Sequence, residues 1–239
     1  MQRFFNSTDN EMSPLSKEDE HHLLSVMRAQ KGEQIEIVIN GECFLFQIES
    51  LKPFKLKTIK KIDVARELEN DLTLYYCLVK KDKADLVIQK AVELGVKEIV
   101  LVQSERSIVR LKREDFSKKL ERYQSIARAA AMQSKRLIIP EVKKIMYLKD
   151  FSKSDCKTHN FIANENVSGS TKNFKSLLEK IKPGESISLL IGPEGGFTQG
   201  EIDKMNELGF INISLGKRIL RSETAAISAL SIAAFILEV

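Results

Sequence analysis

Residues 189–201 read LLIGPEGGFTQGE, and residues 214–230 read SLGKRILRSETAAISAL. Each segment has the pattern of an apolar strand, a glycine turn and the start of a helix. In parallel α/β sheets, ligands bind at the carboxyl ends of strands, where such turns lie. Glycine there lets backbone N–H and C=O groups approach a ligand closely. We therefore expect both turns to line a binding site, although either one alone could be a plain turn before a capped helix.

The first turn limits the chemistry of that ligand. GPEGGF is not followed by the Gly-Lys-Ser/Thr of a P-loop. It also lacks the GxGxxG fingerprint, which a dinucleotide fold carries after its first strand. A phosphate would be repelled by Glu194. The pattern favours a ligand with an adenine ring and a cationic centre but no pyrophosphate.

The second turn places two arginines directly before an apolar helix. Arg218 and Arg221 flank Ile219-Leu220, and Ser222 can cap the helix that follows. Because this helix is apolar nearly all round, we expect it to be buried in a core or in an oligomer interface. The arginines need anionic partners or water. A nucleic-acid phosphate, a developing anion and a salt bridge to Glu223 all satisfy this requirement.

Strands and helices alternate from residue 71 to the C-terminus. Apolar runs predict five strands, at residues 72–79, 96–103, 158–166, 186–191 and 210–216. Amphipathic or apolar patterns predict helices at 84–95, 114–135, 173–181, 198–209 and from 222 onward, with a Thr198-x-x-Glu201 capping box. The alternation indicates a parallel sheet covered on both faces, so we predict an α/β domain over residues 71–239.

Residues 1–70 are different, because their pattern is rich in β-structure. Residues 34–39 alternate polar and apolar side chains, and Asn40-Gly41 is typical of a two-residue hairpin turn before a strand at 44–48. Residues 56–62 form a further candidate strand, and Ser16 can cap a short helix. We predict a small β-barrel domain over residues 1–70.

Composition excludes several classes of protein. The 239 residues are 43% hydrophobic with a net charge of +5, which is typical of a globular protein. The longest apolar stretch, residues 225–237, is too short to span a bilayer, and residues 1–12 lack the apolar core of a signal peptide. Cysteines stand at 43, 77 and 156 and histidines at 21, 22 and 159, without disulfide or metal-ligand spacing. We therefore expect a cytoplasmic protein without a metal.

Positive charge is concentrated in the middle of the chain. Residues 80–149 carry 18 basic and 9 acidic residues, whereas the flanking segments are slightly acidic. Clustered lysine and arginine are typical of a surface that binds nucleic-acid phosphates. An ordinary solvated helix face explains the same pattern, so charge alone leaves both interpretations open.

Several blocks of the sequence, in order, resemble one family. IGPEGGFTQGEI and LGKRILRSETAAISAL are similar to the paired signature of the RsmE family of 16S rRNA uridine-N3 methyltransferases, in the SPOUT (trefoil-knot) class. The segments MQRFF, HHLLSVMRAQKGEQIEI, KKDKADLVIQKAVELGVKEIVLVQSERS and AAAMQSKRLIIPEV resemble further parts of the family. Two positions depart from its pattern, Met132 before Gln133-Ser134 and Asn164 before Glu165.

The resemblance implies a SPOUT α/β-knot methyltransferase domain after an N-terminal PUA-like RNA-binding β-barrel. It implies a homodimer that binds S-adenosylmethionine and methylates N3 of a specific uridine in 16S rRNA of the 30S subunit. The cofactor residues it implies are Leu190, Ile191, Gly192, Glu194, Gly195, Gly196, Leu215, Gly216, Ile219, Leu220, Arg221, Thr224 and Ala225.

Three residues are candidates for the chemistry. Uridine N3 carries a proton, so catalysis must remove that proton and stabilise negative charge on O2 and O4. Arg221 is the candidate for the electrostatic role. Either Glu194 or Glu223 could accept the proton if burial raises its pKa.

Candidate RNA contacts come from the basic block and from the N-terminal domain. They are Arg3, Arg28, Arg106, Arg110, Gln133, Lys135 and Arg136, with Phe4 as a possible stacking residue.

Overall fold

The computed structural model describes residues 1–6, 14–79, 81–164 and 173–238. It divides into two compact units. The N-terminal unit comprises Met1–Glu67 with Ala131–Ile138, and the α/β unit comprises Leu68–Ala130 with Ile139–Val239. The domain boundary predicted at residue 70 lies close to the observed division after Glu67, whereas the assignment of residues 131–138 to the first unit was not predicted.

The N-terminal unit contains a four-stranded sheet in the order β1-β2-β3-β4. Its elements are β1 (Arg3–Phe5), α1 (Lys17–His21), β2 (Gln34–Ile39), β3 (Glu42–Leu51) and β4 (Phe54–Ile62). Asn40 and Gly41 have φ angles of 52° and 80°, as a type I′ hairpin turn requires. Ser16 Oγ accepts a hydrogen bond from the Asp19 N–H at 3.0 Å. The hairpin and the helix cap predicted from the sequence are therefore confirmed.

The predicted PUA-like β-barrel is not confirmed. Among the described residues, β1 pairs only with β2, and β4 pairs only with β3. Two irregularities between β3 and β4, at Leu45/Phe46 and Ile48/Ser50, bend the ladder locally. Phe4, Ile37 and Ile48 are buried on the core side. The described strands thus form a bent sheet over one apolar core.

The α/β unit contains a six-stranded, fully parallel sheet in the order β10-β8-β9-β5-β6-β7. The strands are β5 (Asp71–Cys77), β6 (Glu98–Gln103), β7 (Glu141–Tyr147), β8 (His159–Ala163), β9 (Ser186–Ile191) and β10 (Ile211–Ile213). The helices are α2 (Lys81–Glu93), α3 (Phe116–Gln133), α4 (Phe174–Leu178), α5 (Gln199–Glu207) and α6 (Ser222–Glu238). Sequence reasoning found five of these strands and missed β7, an edge strand whose sequence EVKKIMY is interrupted by two lysines.

Local signals position the ends of the helices near the glycine turns. The Thr198 side chain accepts from the Glu201 N–H while the Glu201 carboxylate accepts from the Thr198 N–H, so both halves of the predicted capping box are present. Ser222 does not act as predicted, because it is the first residue of α6. Its hydroxyl donates to the Gly192 carbonyl at 2.5 Å and thereby ties the start of α6 to the loop after β9.

Within the described ranges, no helix combines the length and the apolarity that crossing a membrane requires. Helix α6 buries Ala226, Ala229, Leu230 and Ala233, whereas Phe235 near its end is 71% exposed. The helix is therefore only partly buried within the chain itself.

Candidate active site

A cavity of about 320 Å³ lies at the carboxyl ends of three neighbouring strands. Its walls come from the segments after β8, β9 and β10 and from the first turns of α6. Both glycine turns of the sequence analysis line it, as the carboxyl-end argument predicts. Predicted cofactor residues on its wall are Ile191, Gly192, Glu194, Gly196, Leu215, Gly216, Ile219, Leu220, Arg221 and Ala225.

The other three predicted cofactor residues do not line the cavity. Leu190 is fully buried in the core of the α/β unit. Gly195 and Thr224 are exposed. The Gly195 carbonyl accepts a hydrogen bond from Arg106 Nη1 at 3.3 Å, so this residue serves to anchor the loop.

Two glycines explain why the loops need that residue type. A Cβ atom at Gly192 would lie 2.9 Å from the Phe197 ring, which forms part of the cavity wall. Gly216 has a φ of +122°, a conformation that other residues rarely adopt. The loop after β9 is thus too closely packed for a side chain at Gly192. The loop after β10 has a backbone conformation at Gly216 that favours glycine.

Hydrogen bonds from outside the loop after β9 fix the position of this loop. Arg106 Nη1 donates to the carbonyls of Gly195 and Phe197, at 3.3 and 3.2 Å. The Ser222 hydroxyl, which donates to the Gly192 carbonyl, also lies 3.3 Å from the hydroxyl of Tyr76. Burial raises the pKa of Tyr76 and keeps its phenol neutral. The loop after β9 is therefore held at Gly192 by Ser222 and at Gly195 and Phe197 by Arg106.

Lys83 joins the two candidate carboxylates. Its Nζ lies 3.2 Å from Glu194 Oε1 and 3.2 Å from Glu223 Oε2. Sequence reasoning missed Lys83, since nothing near it in the chain signals two partners more than 100 residues away. The lysine connects α2, the loop after β9 and the first turn of α6.

The structure removes the condition on which Glu223 was a candidate base. Burial raises the pKa of Glu223, but the hydrogen bond from its own backbone N–H and the ion pair with Lys83 outweigh burial and lower it below its usual value. The salt bridge of Glu223 is formed with Lys83 and not with Arg221, but the positive charge of Arg221 also helps to lower the pKa of Glu223. Within the described ranges Arg221 forms no ion pair, and it stands exposed on the cavity wall.

Sequence reasoning also missed part of the wall. Ala163 and Asn164 follow β8, and Ile213 and Ser214 end β10, so the carboxyl-end rule could have located them. Other residues that line the cavity but were not among the predicted cofactor residues are Pro193, Phe197, Lys217, Arg218 and Ser222. Glu165, the second residue of the family departure, lies outside the described residues.

Two predicted RNA contacts are wrong, because the structure buries both arginines. Arg3 is 1% exposed, and its guanidinium binds Glu36 Oε2 at 2.9 Å and the Arg136 carbonyl at 3.2 Å. Arg136 is 3% exposed, and its guanidinium is paired with Glu67. The same applies to the suggested stacking role of Phe4, which lies in the core of the N-terminal unit.

The remaining candidate RNA contacts are accessible to different degrees. Arg28 and Gln133 are exposed, and Arg28 has a φ of 54°. Lys135 is half-buried with its Nζ 3.0 Å from Glu36 Oε2. Arg106 and Arg110 are exposed, but each donates to a backbone carbonyl. Their role in RNA binding stays a prediction.

Comparison with known proteins identifies this α/β unit as an RNA methyltransferase domain. The RNA methyltransferase domain family matches residues 66–234. Ribosomal RNA small subunit methyltransferase E of Bacillus subtilis is 33% identical over 91% of this chain and 87% of its own length. The protein of that name from Buchnera aphidicola of Acyrthosiphon pisum is 36% identical, over 93% and 87%.

Two solved structures extend the comparison to the whole fold. A methyltransferase of Legionella pneumophila, in complex with the bound cofactor SAM, has a TM-score of 0.84 and 30% identity over 97% of this chain and 96% of its own. The ribosomal RNA small subunit methyltransferase E of Neisseria gonorrhoeae, bound to S-adenosyl methionine, has a TM-score of 0.82 and 30% identity over 97% and 95%. The chain belongs to the ribosomal RNA small subunit methyltransferase E family.

Proposed function

We propose that this protein transfers a methyl group from S-adenosylmethionine to N3 of one uridine in the 16S rRNA of the small ribosomal subunit. The observation that carries the proposal is the cavity built by the two glycine turns in a chain of this family. The names of the relatives give the small-subunit rRNA as their substrate. Two structural neighbours contain the methyl donor.

The residues of the cavity fit S-adenosylmethionine. Ile191, Leu215 and Leu220 offer apolar surface to an adenine ring, and Gly192 and Gly216 leave backbone groups accessible. Glu194 supplies a negative charge suited to a ligand with a cationic centre. When bound, this cofactor supplies an electrophilic methyl group on its sulfonium. The chain therefore has to place the accepting nitrogen in line with that group, and positioning can contribute much of the rate.

Because uridine N3 carries a proton, the chain must also remove this proton and stabilise the negative charge that results. The imide of uridine is about as weak an acid as a lysine ammonium, with a pKa of about 9–10 on the usual scale. Arg221 stabilises the negative charge that develops on O2 and O4 as this proton leaves, because its guanidinium stands exposed on the wall of the cavity. Glu194 is the remaining candidate base, and Lys83 fixes its position at the cavity.

Parts of the molecule outside the cavity bind the RNA substrate and form the homodimer. The N-terminal unit binds RNA as a PUA-like domain, for which exposed Arg28 and Gln133 are candidate contacts. The loops around the cavity form a trefoil knot, and the enzyme acts as a homodimer in the cytoplasm, where its ribosomal substrate is. The exposed Phe235 on α6 supports a dimer interface there.

Methyl transfer to purified ribosomal subunits tests the proposal. We expect S-adenosylmethionine labelled in the methyl group to label small subunits from cells that lack the corresponding gene. Large subunits from the same cells, and small subunits already methylated by the native enzyme, are the controls and should stay unlabelled. Cofactor binding without transfer to small subunits would refute the proposed substrate, and absence of both would refute the enzymatic function.

A further inference from the structure

A second cavity, of about 310 Å³, lies in the α/β unit at the carboxyl ends of β6 and β7. Its walls come from the segment after β6, the segment after β7 and the first turns of α5. Both cavities lie at the carboxyl ends of the parallel strands. The candidate active site is next to β10, β8 and β9, whereas the second cavity is next to β6 and β7, on the far side of β5. Its volume is at the lower end of the range for small-ligand pockets.

Three cations line this second cavity: Arg110, Lys149 and Lys204. Lys204 is held in place, because its Nζ donates to the carbonyls of Leu148 and Lys149. Arg110 is held by its hydrogen bond to the Glu105 carbonyl. The cavity therefore presents fixed positive charge, drawn from the basic block of the sequence and from α5.

Two carboxylates, those of Glu105 and Glu201, also line the cavity. Glu201 is buried and engaged elsewhere, since its oxygens accept from the Thr198 N–H at 2.9 Å and the Glu105 N–H at 2.8 Å. The Glu105 side chain belongs to an exposed residue. An anion can therefore approach the three cations without displacing the buried carboxylate from its donors.

An aromatic ring completes the site. Tyr147 lines the cavity, and Lys149 Nζ lies 5.6 Å from the centre of its ring. The ring of Phe116 supports Tyr147 from a centroid distance of 6.4 Å. Flat aromatic surfaces beside cations are the usual platform for an unpaired base and its phosphate.

Hydrogen bonds and a shared chain segment connect the second cavity to the candidate active site. The segment after β6 lines it through Glu105 and Arg110. Arg106, between them, donates to the carbonyls of Gly195 and Phe197 in the cofactor loop. Residues 196–201 connect the wall of one cavity with the wall of the other.

We propose that the second cavity binds one nucleotide of the RNA strand next to the target uridine. Arg110, Lys149 and Lys204 hold the phosphate, and the base stacks on Tyr147. This inference rests on the proposed function and deepens it, because it gives the substrate strand a second fixed point beside the methyl-transfer site.

Paired charge removal tests the phosphate contacts. The variant Arg110→Ala/Lys149→Ala is compared with Lys180→Ala/Lys182→Ala, which removes two exposed cations of the same unit away from both cavities. Binding to unmethylated small subunits is measured by filter retention over a series of salt concentrations. We expect the first variant to bind about tenfold more weakly and its salt slope to fall by about one, with the control unchanged. Equal behaviour of the two variants would overturn the proposal.

Stacking is tested at Tyr147. We expect Tyr147→Phe to keep subunit affinity and Tyr147→Leu to lose about tenfold, while both keep the affinity for S-adenosylmethionine and the kcat at saturating subunits. Equal subunit affinity of the two variants would contradict the stacking role. Wild-type protein that binds subunits without methylating them would refute the proposed function, while the binding comparisons would still decide this site. Wild-type protein that binds no subunits would refute both.

Discussion

Two side chains at the candidate active site, those of Lys83 and Arg106, hold other groups of the site in position. Lys83 lies between Glu194 and Glu223, and Arg106 holds two carbonyls of the loop after β9. Lys83 and Arg106 are far in sequence from the glycine turns that they support. Most residues that line the cavity could be located from the sequence, whereas their supports depend on tertiary contacts.

Replacing Lys83 by methionine should weaken S-adenosylmethionine binding by about three- to tenfold, because it removes two partly exposed ion pairs, one to the loop after β9 and one to the start of α6. Calorimetry measures the dissociation constant. Lys83→Arg should restore most of the affinity, and Lys180→Met is the control for removal of an exposed lysine. Unchanged affinity in Lys83→Met would show that these ion pairs do not position the cavity wall.

Arg221→Ala should lower kcat by about 100-fold while the dissociation constant for S-adenosylmethionine changes little, since the arginine acts on charge that develops during the reaction. The matched control is Arg218→Ala, which removes a second exposed arginine from the wall of the same cavity. Steady-state kinetics with small subunits separates kcat from KM. An equal loss in both variants would indicate a general electrostatic effect and not the assigned role.

At the scale of elements, the glycine turns and the helix caps were visible in the sequence because they depend on neighbouring residues. Asn40-Gly41 fixes a hairpin turn, and Thr198 with Glu201 fixes the start of α5. Strand β7 could not be recognised, because Lys143 and Lys144 obscure the apolar pattern of an edge strand. Whether β1 to β4 close into a barrel depends on long-range pairing, which local pattern does not encode.

Gly192→Ala tests the close packing of the loop after β9. The new methyl group would stand 2.9 Å from the Phe197 ring, so this ring of the cavity wall would have to shift. We expect the affinity for S-adenosylmethionine to fall about tenfold or more. Gly200→Ala is the matched control, because a Cβ there meets nothing within 4 Å and the position is helical. Loss of affinity in both variants, or in neither, would contradict this explanation.

For the whole molecule, buried charge links folding of the N-terminal unit to pH. Burial raises the pKa of Glu36, but hydrogen bonds from Lys135 and Arg3 outweigh burial and hold it below its usual value. This carboxylate therefore stabilises the fold above about pH 4.5, and that contribution disappears as the pH falls through the folded-state pKa. Arg3 was predicted as an RNA contact because a sequence shows charge but not burial.

Glu36→Gln should lower the free energy of unfolding by roughly 2 kcal/mol at pH 7, because it leaves the Arg3 guanidinium buried without its carboxylate. Urea unfolding from pH 7 down to pH 3 measures the difference from wild type, which should shrink below about pH 4. As a control, Glu42→Gln removes a carboxylate from an exposed pair on the same sheet and should have little effect. A difference that does not depend on pH would contradict the assigned cause.

Identification of the methylated nucleoside tests directly whether the enzyme methylates N3 of one uridine in 16S rRNA. After reaction with labelled S-adenosylmethionine, the 16S rRNA of small subunits that lack the modification is digested to nucleosides, and the labelled product is identified by mass spectrometry. If the enzyme methylates N3 of one uridine, the labelled product is 3-methyluridine at a single position. Label on a ribose, on another base or at many positions would contradict it, as would the absence of transfer by protein that binds the cofactor.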